Sequence, residues 1–169
     1  MGSRPPPCAE LQGKPLDDSE AFAMTGTPQV LISREFFQLA VEFYTAYQIL
    51  PETPPPSWPR YFMMCHSAEL ALKAFLAWHG KSIAELKKNK FGHDLNNLCE
   101  EAANCGLIIE PTALREIKLL HEAHKKMWPR YPKEDANHVF VIEQFEASVS
   151  SLIQQVGRII FGNQYMFAV

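Results

Sequence analysis

From residue 33 onward the apolar positions of this chain recur at three- and four-residue steps, and no stretch alternates as a strand does. Phe36, Leu39, Ala40, Phe43, Tyr47 and Leu50 trace one such line, which predicts a helix starting at Arg34, with Ser33 as its cap and that line as its buried face. Pro51 must end it. The segment PETPPPSWPR cannot be helical, because each proline removes a donor and restricts the residue before it. Ser57 is placed to cap a second helix and Pro59 falls in its first turn, where a missing N–H costs little. That helix runs through YFMMCHSAELALKAFLAW to Gly80, a natural left-handed terminator.

The second helix is apolar around most of its circumference: Phe62, Met63, Met64, Leu70, Leu72, Phe75, Leu76 and Trp78 do not fit one stripe. Such a helix needs neighbours on several sides. Its polar seam is His66, Glu69 and Lys73, which step by three and four residues and so share a line. Glu69 and Lys73 are an i,i+4 pair, and on so apolar a helix a charged pair is expected either to be paired further or to line a cleft.

KSIAELKKNK reads as a basic turn. Asp94 then caps a short helix through Leu95, Leu98, Ala102 and Ala103 that Gly106 ends. Pro111 and Thr112 open a fourth helix with Leu114, Ile117, Leu120 and His121 on one face, broken at Pro129. A fifth begins near Val139 and carries Phe140, Ile142, Phe145, Val149, Leu152, Ile153, Val156 and Ile160. Short links between amphipathic helices favour antiparallel neighbours. The expected fold is therefore all-α, an up-and-down antiparallel bundle of four main helices plus one short one over residues 30–162, after a proline-rich leader (1–29) and before a short tail (163–169).

Composition adds bounds. The 169 residues suit one domain, and 47% apolar with 21% charged residues is ordinary for a globular chain. A formal net charge of -3 argues against a broadly basic nucleic-acid surface while leaving room for a local patch. Cys8, Cys65, Cys99 and Cys105 show neither a disulfide framework nor zinc spacing, which suits the cytosol. No run reaches the length of a membrane span, and MGSRPPPCAE lacks the apolar core of a secretory signal. A cytoplasmic location is expected.

In order along the chain, FFQLA, a proline-interrupted turn, CHSAELALKAFLAWHG, GHDLNNL and WPRYP resemble the HEPN domains, over roughly residues 33–156. The resemblance implies a helical bundle that dimerises and is linked to RNA or nucleotides, including metal-independent ribonucleases of toxin–antitoxin and defence systems. It implies as partners a second copy, RNA or a nucleotide, and an antitoxin-like or nucleotidyltransferase-like protein. In catalytic members an arginine and a histidine four to six residues apart meet across the dimer. Arg60 with His66 and Arg115 with His121 have that spacing, and Arg115 is followed by polar Glu116. Histidine as proton acceptor and arginine as phosphorane cation suit attack by a ribose 2′-hydroxyl. The family motif usually lies where this chain has WPRYP; there Arg130 and Tyr131 stand without a histidine at motif distance, which points to a degenerate member.

Bland readings stand beside these. Asp94 and His93 read as a helix cap, or His93 near the lysines of KKNK helps form a phosphate site. Lys87, Lys88, Lys90, Lys125, Lys126, Arg130 and Tyr131 read as a solvated face, or as a basic and aromatic nucleic-acid surface. Trp58, Trp78 and Trp128 read as packing. His121 and His124 lie one turn apart, but Glu122 alone does not complete a metal site, and no cofactor is implied. The candidate set is Arg115 and His121 for catalysis, with His66, Glu69, Lys73, His93, Arg130 and Tyr131 for ligand contact. Two functions compete: an RNA- or nucleotide-binding dimer, and a non-enzymatic adaptor that docks a protein.

Overall fold

A computed structural model describes residues 28–51, 57–88, 90–127, 141–162 and 165. The described chain is all-α: α1 (Pro28–Ile49), α2 (Trp58–Trp78), α3 (Ile83–Leu86), α4 (Leu95–Asn104), α5 (Pro111–Met127), a 3₁₀ turn (Ile142–Phe145) and α6 (Glu146–Phe161). No strand occurs among the described residues, and none of the described helices is long and apolar enough to cross a membrane.

The first helix begins at Pro28, earlier than the pattern suggested and inside the expected leader. Proline is pre-organised for a first turn. Ser33 is consequently an interior, buried residue rather than a cap, and its hydroxyl donates to the carbonyl of Val30 at 2.8 Å. The buried row is also displaced by one position. Phe37, Ala40, Tyr44 and Tyr47 are fully enclosed, while Phe36 and Phe43 are half-buried and Leu39 is 41% exposed.

Antiparallel pairing of α1 with α2 follows from their contacts. The Ser67 hydroxyl donates to the carbonyl of Ala40 at 2.7 Å, Phe43 meets His66 and Phe62, and Arg60 lies over the Tyr47 ring, so one helix ascends as the other descends. Beyond α1, α2 packs against α4, α5 and α6, the several neighbours its all-round apolarity demanded. Fifteen of its 21 residues are buried, which makes it the axis of the core. Ser57 occupies the N-cap position without a side-chain bond, so the start of α2 rests on Pro59 in the first turn. Gly80 ends the helix at φ +91°, where a Cβ would be strained.

The basic turn contains a short helix. Ser82 and Glu85 form a reciprocal capping box around α3, an S-x-x-E signature present in the sequence but hidden among its lysines. Asp94 caps α4 as expected, accepting from the backbone N–H of Asn96 and Asn97 at 3.0 and 3.1 Å. The Glu110 carboxylate caps α5 through the N–H of Ala113. Cys65 and Cys99 are free and buried, their thiols pushed up by burial, the latter to about 12, which makes them inert fillers. Cys105 is disulfide-bonded, a departure from the expected absence of any disulfide. Tyr165 covers Gly157, stacks on Phe161 and meets Phe37 edge-on, so the tail includes a packed aromatic.

Candidate functional site

Three of the candidate residues lie on α2 because three- and four-residue steps put His66, Glu69 and Lys73 on one line. The fold brings a fourth, His93, to that line. Phe91 is buried, and the turn around it is closed by N–H bonds from Phe91 and Gly92 to the carbonyl of Lys88. Burial of Phe91 anchors the loop between α3 and α4 against α2, which delivers Gly92 and His93 to the polar seam.

At the centre is Glu69, 5% exposed. Its Oε1 lies 2.6 Å from Lys73 Nζ, and its Oε2 lies 3.1 Å from His93 Nδ1 and 3.7 Å from His66 Nδ1. Lys73, 8% exposed, also donates to the carbonyl of Gly92 at 2.7 Å. One lysine therefore holds both the carboxylate and the backbone preceding the histidine. Burial by itself pushes the Glu69 carboxyl up, but the nearby His66 ring, bonds from Lys73 and His93 and the charge of Lys73 outweigh it, leaving the group at about 2. Glu69 is a permanent anion at neutral pH. Being ionised, it can only accept, so the ring nitrogen facing it, His93 Nδ1, carries the proton.

The two histidines differ in setting. His66 is 26% exposed at its side chain, stacked on Phe62 and edge-on to Phe43. His93 is 78% exposed. With Nδ1 turned to Glu69, the opposite edge of its ring, carrying Nε2, is left to solvent. Lys87, Lys88 and Lys90 are exposed on the same loop; Lys90 lies 3.8 Å from Glu101, a carboxylate already bonded by Lys81 at 2.6 Å.

Arg115 and His121 are not brought together within the chain. Six residues of α-helix separate them by about 120° around the axis and about 9 Å along it. Arg115 is exposed on the rim of an open groove of about 440 Å³ floored by Leu114 and Leu119. His121 is 1% exposed, its Nε2 3.4 Å from Asp94 Oδ1. In the other pair of that spacing, Arg60 bonds Glu143 at 2.6 Å and covers the Tyr47 ring, and so serves packing. Arg130, Tyr131 and Trp128 lie outside the described residues, as do the side chains of His124, Lys125 and Lys126. Among the described residues no cluster of three or more His, Cys, Asp or Glu is arranged to hold a metal ion.

Sequence reasoning missed the Gly92 carbonyl, the link from His121 to Asp94 and the clamp at Arg60. Gly92, His93 and Asp94 are each met by a charged or titratable side chain from a core helix: Lys73, Glu69 and His121. The short GHD string was the available signal, read there as a helix cap or as part of a phosphate site. Comparison with protein-family models, curated proteins and solved structures gives no match. The functional reading rests on the residues themselves.

Proposed function

We propose that the chain is a HEPN-like, up-and-down helical bundle working as a dimeric module that binds RNA or a nucleotide by its phosphates. The contact surface is formed by Lys87, Lys88, Lys90 and His93. One observation carries the reading: an exposed imidazole is hydrogen-bonded to a buried Glu69–Lys73 pair, on the same loop as exposed Lys87, Lys88 and Lys90. A ring held by that bond lowers the ordering cost of binding, and the lysines supply the phosphate attraction. Cleavage by Arg115 and His121 is not part of the proposal, since His121 is enclosed between α4 and α5. An antitoxin-like or nucleotidyltransferase-like protein is the class of partner that goes with this reading.

The test is fluorescence anisotropy of a labelled oligouridylate at low salt. Wild-type protein is expected to bind, and each of Lys87→Ala and Lys88→Ala to lower the salt slope by about one. No binding at low salt defeats the reading. A second reading, a non-enzymatic adaptor, is favoured by the apolar groove on α5, lined by Ile109, Leu114 and Leu119, and by Ile108, 82% exposed. Light scattering separates part of the two, since a chain that stays monomeric at every concentration removes self-association.

A further inference from the structure

We propose that His93 is a phosphoryl-acceptor histidine, whose Nε2 takes a phosphoryl group from a donor that carries phosphate on nitrogen, of the phosphoramidate type. This goes beyond RNA or nucleotide binding and does not depend on it. The geometry supplies what a nucleophilic imidazole needs. Its Nδ1 lies 3.1 Å from a buried carboxylate, which settles the tautomer and leaves the lone pair on Nε2. That carboxylate is itself immobilised by Lys73 at 2.6 Å, and Lys73 also holds the carbonyl of Gly92, so both the ring and the backbone leading to it are positioned.

Exposure decides between a nucleophile and a general base. A base must sit beside a seat that holds the substrate hydroxyl within hydrogen-bond reach. At 78% exposed, His93 has no such seat formed around it by the described residues. An acceptor presented to an incoming donor needs none. Lys87, Lys88 and Lys90 lie three to six residues before it on the same exposed loop and attract the anionic donor.

The step balances. The Nε2 lone pair attacks phosphorus of zwitterionic phosphoramidate, the Nε2–P bond forms, the P–N bond of the donor breaks, and its nitrogen, already protonated, leaves as ammonia. The ring keeps its Nδ1 proton. The cationic phosphoimidazole that results has its positive edge against the Glu69 carboxylate, which stabilises the developing charge.

The experiment treats the full chain with potassium phosphoramidate at neutral pH and follows intact mass, peptide maps and phosphorus NMR. Expected is one acid-labile, alkali-stable phosphoryl group on His93, formed about tenfold faster than on a histidine in an unstructured peptide, as befits an activated nucleophile. His93→Ala, a change at an exposed side chain, abolishes the label while circular dichroism stays native. Glu69 is a positioning residue; Glu69→Gln slows labelling and shifts its pH profile, because the tautomer is no longer imposed. Labelling of His93 no faster than of the free peptide, or spread evenly over the other histidines, overturns the proposal, and this wild-type measurement stands even where Glu69→Gln does not fold. A chain that ignores RNA yet labels at His93 keeps this inference and loses the binding proposal; the reverse result does the opposite.

Discussion

Two clusters of charge lie against α2, and they end differently. Near its N-terminus, Arg60 reaches Glu143 at 2.6 Å and lies 4.6 Å from the Tyr47 ring centroid, while the Tyr47 hydroxyl donates to Glu146 at 3.1 Å. Two turns on, Glu69 gathers Lys73, His66 and His93. The first cluster ties three segments together, and each member is spent on another. The second has both charges of its ion pair buried, where Glu143 of the first is 45% exposed at its side chain, and it ends in an imidazole given to solvent. Enclosed charge is thus not by itself a mark of function; what distinguishes the Glu69 cluster is that its last member is held from behind and open in front.

The comparison is broken most severely by Lys73→Met, which leaves the Glu69 carboxylate enclosed without its cation. Losing one partner of a buried pair costs about 3–5 kcal/mol, to be read from urea unfolding. Acid acts on the same group. The folded Glu69 carboxyl is lowered from 4.5 to about 2, so its stabilisation is complete above the unfolded value and is lost as pH falls from about 4.5 towards 2. Wild-type protein should lose unfolding free energy over that window, and Glu69→Gln should flatten the profile there. Arg60→Ala is expected to cost about 2 kcal/mol, the loss of a charged hydrogen bond and a cation–π contact, without affecting phosphoramidate labelling of His93. An undiminished rate in that variant sharpens the separation of the clusters; a lost one merges them.

Smaller effects probe the rim. Asp94→Ala removes two backbone bonds at the α4 N-terminus and should cost about 1 kcal/mol by thermal or urea unfolding, typical of a lost cap. His93→Ala should be the mildest, at about 1 kcal/mol or less, since Glu69 keeps its bond from Lys73. A severe loss of stability in His93→Ala would make that histidine a structural member like Arg60 and erase the contrast.

Much of this site was legible in part. The line of His66, Glu69 and Lys73 follows from helical spacing, and of the two expectations for an enclosed Glu–Lys pair, further pairing or a cleft, the structure shows further pairing, with His93 and the Gly92 carbonyl. The spacing of Arg115 and His121 had equal weight on paper, yet six residues turn the two side chains to different sides of α5, one outward and one into the core. Spacing alone does not say which side a neighbour will cover. The displaced row of α1 has the same origin. Lines through Phe36 and Phe43 or through Phe37 and Tyr44 share Ala40 and Tyr47 and are nearly equal in apolarity, so the approach of α2 and α6 chose between them.

What the sequence determined by itself is local: helical periods, the stop at Pro51, the left-handed glycines at 80 and 106, the Asp94 cap and the need of α2 for many neighbours. Each depends on residues within a turn or two of one another, where sterics and capping act. The tertiary structure decided which charges meet. Glu69 and His93 are 24 residues apart, Arg60 and Glu143 83, and Tyr47 and Glu146 99. Such partners are chosen by packing of the apolar faces, because enclosing a hydrophobic row against its neighbour sets the helix rotation, and the rotation then carries each polar side chain either to a buried counter-charge or, at His93, to the solvent.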